Sequence, residues 1–281
     1  MNKTVSIILP AHDEAAYIDA CAKALLQSAA LPDGWQVQVL IVANGCSDDT
    51  AARARAQAKT AADRLWEWQV IELPQGSKPG ALNAGDAVAR GDVLVYLDAD
   101  VLVSPELLRQ LTLALSSPAP AYGSGTPVLS GGQSWVTRAY GRFWMTLPFV
   151  TDDCPGFGVF AMNRAGRSRW EAWPQIISDD TFARLNFVPA ERVRITATYS
   201  WPLVEGFRNL VRVRRRQNDG VVEIGALYAD LIRNDGKAAL ALSGIIRRAL
   251  RHPLGFIVYA AVALAVKTPL FRSTSSWARG R

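Results

Sequence analysis

The chain is poor in the residues that build metal clusters and covalent staples. Its 281 residues hold three cysteines (Cys21, Cys46 and Cys154) and two histidines (His12 and His252). No Cys-x-x-Cys pair occurs, which argues against a structural zinc site and a disulfide framework. Reduced thiols of a cytoplasmic protein are the expectation. Residues 2 to 9 are too short for a cleaved leader and run into Pro10, so no signal peptide is expected. No internal repeat or long low-complexity linker is apparent. The apolar run Gly255–Val266 has 12 residues, short of the roughly 20 that a spanning helix needs. Charged residues make up 20% and hydrophobic residues 49%, a balance that excludes a disordered chain.

The net charge of +6 is unevenly placed. From Glu205 onward there are 14 Lys/Arg against 5 Asp/Glu, and before it 17 against 20. A mildly acidic body with a basic tail points to a tail that meets phosphates, on nucleic acid or on an anionic membrane. The tail lacks interleaved aromatic platforms, which disfavours nucleic acid. A boundary near Trp201-Pro202 divides a body, 1–204, from a basic helical region, 205–281.

The first hundred residues alternate strand and helix. Val5–Leu9, Val37–Val42, Trp68–Leu73 and Val93–Leu97 read as strands. Tyr17–Ala29 carries a helical stripe, Ala51–Ala62 follows an acidic N-cap, and Pro79–Ala89 forms a third helix. Ser104-Pro105-Glu106 starts a fourth, with serine as cap and proline at the first helical position. Such alternation predicts an α/β fold with a mainly parallel sheet covered on both faces. Polar clusters follow each strand: Pro10–Glu14, Asn44–Asp49, Pro74–Lys78 and Asp98–Asp100. In an open α/β sheet, ligands bind beyond the carboxyl ends of the strands.

The most informative cluster is the last. Asp98 and Asp100 end a fully apolar run. They either open a solvated loop or hold a divalent cation, which in turn holds a diphosphate. Residues 118 to 170 are less regular and interleave glycines with aromatics. Ser178-Asp179-Asp180 opens a helix expected over Thr181–Phe187, where the acids favour the N-terminus. Asp152-Asp153 reads as a loop. Arg208, Arg212, Arg215 and Arg216 lie near one helical face, either solvated or paired with phosphate. Leu240–Leu250 is an amphipathic basic helix. Gly255–Val266, flanked by Lys267 and Arg272, either lies in a membrane interface or docks on the body.

The chain resembles the family 2 glycosyltransferases of GT-A fold over about residues 4 to 190. The matching stretches are Val5–Glu14, Asn44–Thr50, Lys78–Gly85, the Asp-x-Asp (DXD) motif of Leu97–Asp100, and Ser178–Asp180, in family order. Many members carry two aspartates at the second loop, one of which contacts the donor's uracil; here those positions are Ala43 and Asn44. Processive members carry Gln-x-x-Arg-Trp, whereas this chain has Arg214-Arg215-Arg216-Gln217, and a polymer-extruding synthase is disfavoured. The resemblance implies a cytoplasmic glycosyltransferase, peripheral on the inner face of the cell membrane, that uses a nucleotide-sugar donor and a lipid or saccharide acceptor. Pro10, Ala11, Glu14, Asn44, Lys78 and Asp98 would line the donor. Asp100 and Asp98 would hold Mn²⁺ or Mg²⁺. Asp180 would act as general base, oriented by Asp179, with inversion at the anomeric centre. Arg212, Arg215 and Arg216 would bind phosphate. A catalytically silent scaffold or membrane-binding module is the alternative. A sugar-phosphate nucleotidyltransferase is a second alternative, although such enzymes usually show a Gly-x-Gly-x-Arg loop after strand one, where this chain has Pro10–Glu14.

Overall fold

The computed structural model describes residues 3–236, 241–269 and 271. In chain order the elements are β1 (Lys3–Ala11), α1 (Ile18–Leu26), β2 (Trp35–Asn44), α2 (Thr50–Ala56), α3 (Ala58–Asp63), β3 (Glu67–Leu73), α4 (Lys78–Val88), β4 (Val93–Leu97) and β5 (Leu102–Val103). Then follow α5 (Leu107–Ala114), β6 (Tyr122–Ser130), α6 (Trp135–Trp144), α7 (Pro148–Thr151), β7 (Val159–Asn163), α8 (Arg164–Arg167), α9 (Asp179–Leu185) and β8 (Arg192–Pro202). The chain ends with α10 (Phe207–Leu227), α11 (Leu242–Arg251) and α12 (Pro253–Val266).

The chain forms two compact units. The first comprises 1–128, 156–175 and 186–201; the second comprises 129–155, 176–185 and 202–281.

In the first unit the predicted α/β layering is present. The strand order is β3-β2-β1-β4-β7-β6-β8-β5. β1 pairs in parallel with β2 and β4, and β2 pairs in parallel with β3. β7 then runs antiparallel to β4 and to β6. The inner parallel strands are apolar because both faces are covered: all five residues of β4 are buried, as are residues 5 to 11 of β1, whereas the edge strand β3 buries none of its residues fully. Helix α1 buries its expected stripe of Ile18, Cys21, Ala22, Leu25 and Leu26. Gly85 lets α4 lie close on β1, since a Cβ there would meet Ile8 Cγ2 at 2.5 Å. Going from β1 the chain builds outward to β2 and β3, then returns to the other side of β1 for β4. The topological switch point therefore lies at the carboxyl ends of β1 and β4.

Two expectations shift. The helix expected over Ala51–Ala62 breaks at Gln57 into α2 and α3. The helix expected to start at Pro105 begins instead at Leu107. Ser104 to Glu106 form a turn closed by the Leu107 amide on the Ser104 carbonyl, and the Pro105 carbonyl accepts the Ala29 amide at 2.8 Å.

The second unit is helical. α12 packs on α6 through Phe143 against Phe256 and Tyr259, and through Tyr140 stacked on Tyr259. Gly255 permits the close approach, since a Cβ would lie 2.6 Å from the Ala139 carbonyl oxygen. Only one side of α12 is covered: Gly255, Val258, Val262 and Ala265 are buried, while Leu254, Ile257 and Leu264 are more than 60% exposed. No helix among the described residues is long and apolar enough to cross a membrane. Leu240 and Arg272 lie outside the described residues.

Candidate active site

The four polar clusters emerge together on the carboxyl edge of β1 to β4, and side chains of the loops themselves tie three of them into one frame. Asn44, only 3% exposed, is the centre. Its Nδ2 donates to the Ala11 carbonyl at 2.8 Å and to the Val42 carbonyl at 3.3 Å, and its Oδ1 accepts the Ser77 amide at 2.9 Å. Its own carbonyl faces Nδ1 of His12 at 2.6 Å, which fixes the ring proton on Nδ1. Gly45 adopts φ +59°, and a Cβ there would lie 2.3 Å from the Gly76 nitrogen, so the second and third loops touch backbone to backbone.

The first and second loops are joined again further out. Asp13, held at φ +48°, accepts the Ser47 amide at 2.6 Å and the Ser47 hydroxyl at 3.1 Å. The Glu14 amide donates to the Thr50 hydroxyl at 2.7 Å, and the Ala15 amide to Asp48 at 3.1 Å. Partial burial alone would raise the Asp48 carboxyl. Bonds from the Thr50 hydroxyl and from the Ala15 and Thr50 amides outweigh it and hold Asp48 below its ordinary value. His12, Asp13 and Cys46 also bring nitrogen, oxygen and sulfur atoms within 4.8 Å of one another. His12 Nδ1, Asp13 Oδ1 and Cys46 Sγ each already bond within the loops, the thiol at 3.5 Å from the Ala11 carbonyl.

The fourth loop carries the charge. Asp98 leaves β4 with its amide bonded to the Gly158 carbonyl at 2.8 Å. Gly158 at φ +78° has no room for a Cβ, with Val101 and Trp201 within 2.8 Å. The Asp98 carboxylate receives the ammonium of Lys78 at 2.9 Å, and the side chains are 37% and 23% exposed. Lys78 is the first residue of α4, a helix capped by Ser77 Oγ accepting from the Gly80 amide at 3.1 Å. Asp100 follows in the same turn and is part-buried. Two carboxylates in an accessible turn, one already holding an ammonium, form an all-oxygen donor set that suits a hard divalent cation. Beneath the turn, Cys21 is fully buried and its thiol is pushed up to about 12, first by burial and then by the negative charges of Asp98 and Glu14. That thiol is inert at neutral pH.

Two features of this unit escape sequence reading. Asp86 binds the Arg167 guanidinium at 2.6 Å, Trp173 Nε1 at 2.7 Å and the Tyr96 hydroxyl at 2.8 Å. Asn83 exchanges two hydrogen bonds with the Trp173 backbone. Together these clamp the 164–175 stretch onto α4. Only spatial proximity brings the partners together; no spacing in the chain signals it.

In the second unit, Asp179 and Asp180 are the first two residues of α9, as the helix-start pattern requires. Asp179 is 6% exposed, and Asp180 Oδ1 accepts the Thr181 amide at 2.6 Å. The preceding turn is fixed by the Ile177 amide on Glu223 at 2.8 Å. Gly220 of α10 gives Ser178 its space, since a Cβ would lie 2.2 Å from the Ser178 hydroxyl. Arg184, 5% exposed, pairs with Asp153 at 2.7 Å and with Asp235, so Asp153 serves as a structural anion in a loop. Along α10, Arg215 donates to the carbonyls of Ala265, Val266 and Thr268, with the Thr268 contact at 2.8 Å, and caps the C-terminus of α12. Arg214 reaches the Tyr259 hydroxyl at 3.2 Å. Arg212 and Arg216 are part-buried on the same helix.

An α/β sheet with its polar loops gathered at the β1/β4 switch point and closed by an Asp-x-Asp is the architecture of the GT-A glycosyltransferases. Solved structures share this fold. Mannosyltransferase PcManGT from Pyrobaculum calidifontis, in complex with GDP-Man and Mn²⁺, matches with a TM-score of 0.59 at 22% identity, over 94% of this chain and 75% of that one. S. aureus TarS 1–349 in complex with UDP matches with a TM-score of 0.52 at 11% identity, over 94% and 91%.

Within that class, the model of Glycosyl transferase family 2 matches residues 6–171, and the chain belongs to this family. The uncharacterized glycosyltransferase EpsJ of Bacillus subtilis (strain 168) is 31% identical over 219 residues, 76% of this chain and 59% of that protein. Glucosyl-3-phosphoglycerate synthase of Mycolicibacterium paratuberculosis is 32% identical over 102 residues, 36% of this chain and 30% of that protein. The matched part thus spans about a third to three-fifths of these curated relatives.

Proposed function

We propose that the chain transfers a sugar from a nucleotide-diphosphate-sugar donor to an acceptor hydroxyl. The observation that carries this reading is the acidic turn at the switch point, Asp98 and Asp100 with Lys78 on Asp98, beside a frame of three interlocked loops. Asp100 and Asp98 would hold a divalent metal, which when bound would supply electrostatic stabilisation of the diphosphate; PcManGT, of the same fold, was solved with Mn²⁺. Pro10, Ala11 and Glu14 line the donor beside the fourth loop. Asn44 acts by positioning, because its amide is already engaged with the first and third loops. The Lys78 ammonium adds positive charge where the leaving diphosphate develops negative charge.

Asp180 is the proton acceptor in this reading. Its carboxylate takes the proton of the acceptor hydroxyl as that oxygen attacks, and Asp179 orients it. A single base with direct displacement inverts the anomeric centre. Arg212 and Arg216 pair with phosphate on a lipid or lipid-linked acceptor; Arg215 caps α12. The half-covered α12 and the amphipathic α11 support a peripheral attachment to the inner face of the cell membrane.

The test is a thermal-shift screen of nucleotide sugars with and without Mn²⁺, followed by transfer assays. A ligand that binds only the folded state raises the melting point by mass action. A metal-dependent shift with one donor, abolished in Asp100→Asn, is expected. Asp180→Asn should retain that shift and lose transfer. Silence across the panel, or near-full transfer by either variant, refutes the assignment and favours a silent scaffold.

A further inference from the structure

The second unit holds a cavity of about 390 Å³, and all of its lining residues come from this unit. One wall is a stripe of α6: Trp135, Arg138, Ala139 and Arg142 stand at spacings of three, four and seven, on one helical face. The facing wall is Arg251 at the end of α11, His252, and the first turn of α12 through Gly255. Gly255 forms part of the floor because the Ala139 carbonyl and Phe143 leave no room for a side chain.

The cavity is one-signed. Three arginines line it and no acid does. Arg138 donates to the carbonyls of Gly132 and Gln133, which aims it without neutralising it. No carboxylate pairs with Arg138, Arg142 or Arg251 among the described residues. Three guanidinium-bearing residues lining one cavity without counter-ions favour an oxyanion that takes several hydrogen bonds at once, a phosphate above all.

The rim is apolar. Leu250 is 78% exposed, Leu254 64% and Ile257 62%, and Trp135 at 61% stands at the edge. Leu242, Ile246 and Leu250, spaced by four, continue the strip along α11, at 72%, 50% and 78% exposure. A free phosphate has no use for such a rim. A phospholipid has, because its headgroup meets cations while its chains meet leucine and isoleucine, with an indole at the boundary.

We infer that this cleft binds the phosphate of an anionic phospholipid and seats the second unit on a membrane through the Leu250–Ile257 rim. The inference builds on the peripheral-membrane reading above and is independent of the transfer chemistry.

The test is co-sedimentation of the full chain with vesicles of phosphatidylcholine, alone or mixed with phosphatidylglycerol, at low salt. The anionic vesicles should bind more tightly. Each arginine removed should weaken that preference about fivefold, so R138Q/R142Q/R251Q should lose about 100-fold. R142Q/R251Q, which spares the Arg138 loop contacts, should lose about 25-fold with an unchanged melting point, and R142K/R251K should recover most of it. L250Q/L254Q/I257Q should weaken binding to both vesicle types alike. R55Q/R233Q, which removes the same two charges outside the cleft, is the control for net charge. Binding of R142Q/R251Q to anionic vesicles at the level of R55Q/R233Q would overturn the cleft while leaving membrane attachment intact. Displacement from vesicles by inorganic phosphate at equal concentration would overturn the lipid assignment. Failure to bind any vesicle would sink both readings without touching the donor-binding result.

Discussion

Asn44 offers the sharpest test of how the donor-side frame is held. Replacing it by alanine removes the amide that joins three loops and takes a hydrogen bond from three backbone groups: the Ala11 and Val42 carbonyls and the part-buried Ser77 amide. An orphaned buried polar group costs about 1–3 kcal/mol; the Ala11 carbonyl keeps the Cys46 thiol and the Ser77 amide is only part-buried, so Asn44→Ala should cost about 2–4 kcal/mol in all. At about 2–4 °C per kcal/mol for a chain of this size, the melting point should fall by about 4–16 °C. The Gly45–Gly76 contact and the His12 bond involve backbone atoms at position 44 and beyond, so the loops should loosen without unfolding the sheet. Donor affinity should fall with the melting point, and amides 75–78 should exchange faster. Differential scanning fluorimetry and hydrogen exchange read both effects. A melting point within about 1 °C of the parent would refute the claim that Asn44 holds the loops together.

Other outcomes follow from the same contacts. Arg215→Met removes the charge-assisted cap of α12 and should destabilise the second unit by about 1–3 kcal/mol. Hydrogen exchange should locate the loss in the last turn of α12, and lysine should restore only part of it. Arg169 pairs with Glu191 and, with the other bonds that carboxylate accepts, holds it below its ordinary value of 4.5. A depressed carboxylate stabilises above its unfolded pKa and loses that contribution as pH falls through the folded value. Urea titrations should therefore show the parent more stable than Arg169→Gln above about pH 4.5, with the gap closing on acidification. A gap that widened toward acid would contradict the pairing.

How much of this was readable beforehand depends on whether a signal is local. The inner parallel strands were, because burial on both faces writes an apolar run; β4 matches Val93–Leu97 residue for residue. The convergence of four polar loops follows from alternation alone. The antiparallel half was not anticipated. β6 reads Tyr-Gly-Ser-Gly-Thr-Pro, a loop by composition. Its Gly125 is required by Leu107, Tyr199 and the Ala197 carbonyl, all under 3 Å from where a Cβ would stand. β8 does carry a local signature, with Ile195, Ala197 and Tyr199 buried at alternate positions, which a period-two search past Phe187 detects. Asn44 and Lys78 are visible as polar residues after strands. Their partners, Ser77 and Asp98, belong to loops brought together only by the sheet. Arg215 belongs to a visible basic stripe, yet its three carbonyl partners lie about 50 residues on, beyond any helical spacing.

The back-to-back contact of Gly45 and Gly76 limits how this scaffold can diversify. Neither loop can gain a residue or a side chain at the junction unless the other yields, and the Asn44 amide ties the end of β1 to the same constraint. Under the proposed function, new donor preference would arise by exchanging side chains on a frame of fixed length. An engineer who grafts a loop from a relative has to move residues 10–14, 44–49 and 74–78 together, as one cassette.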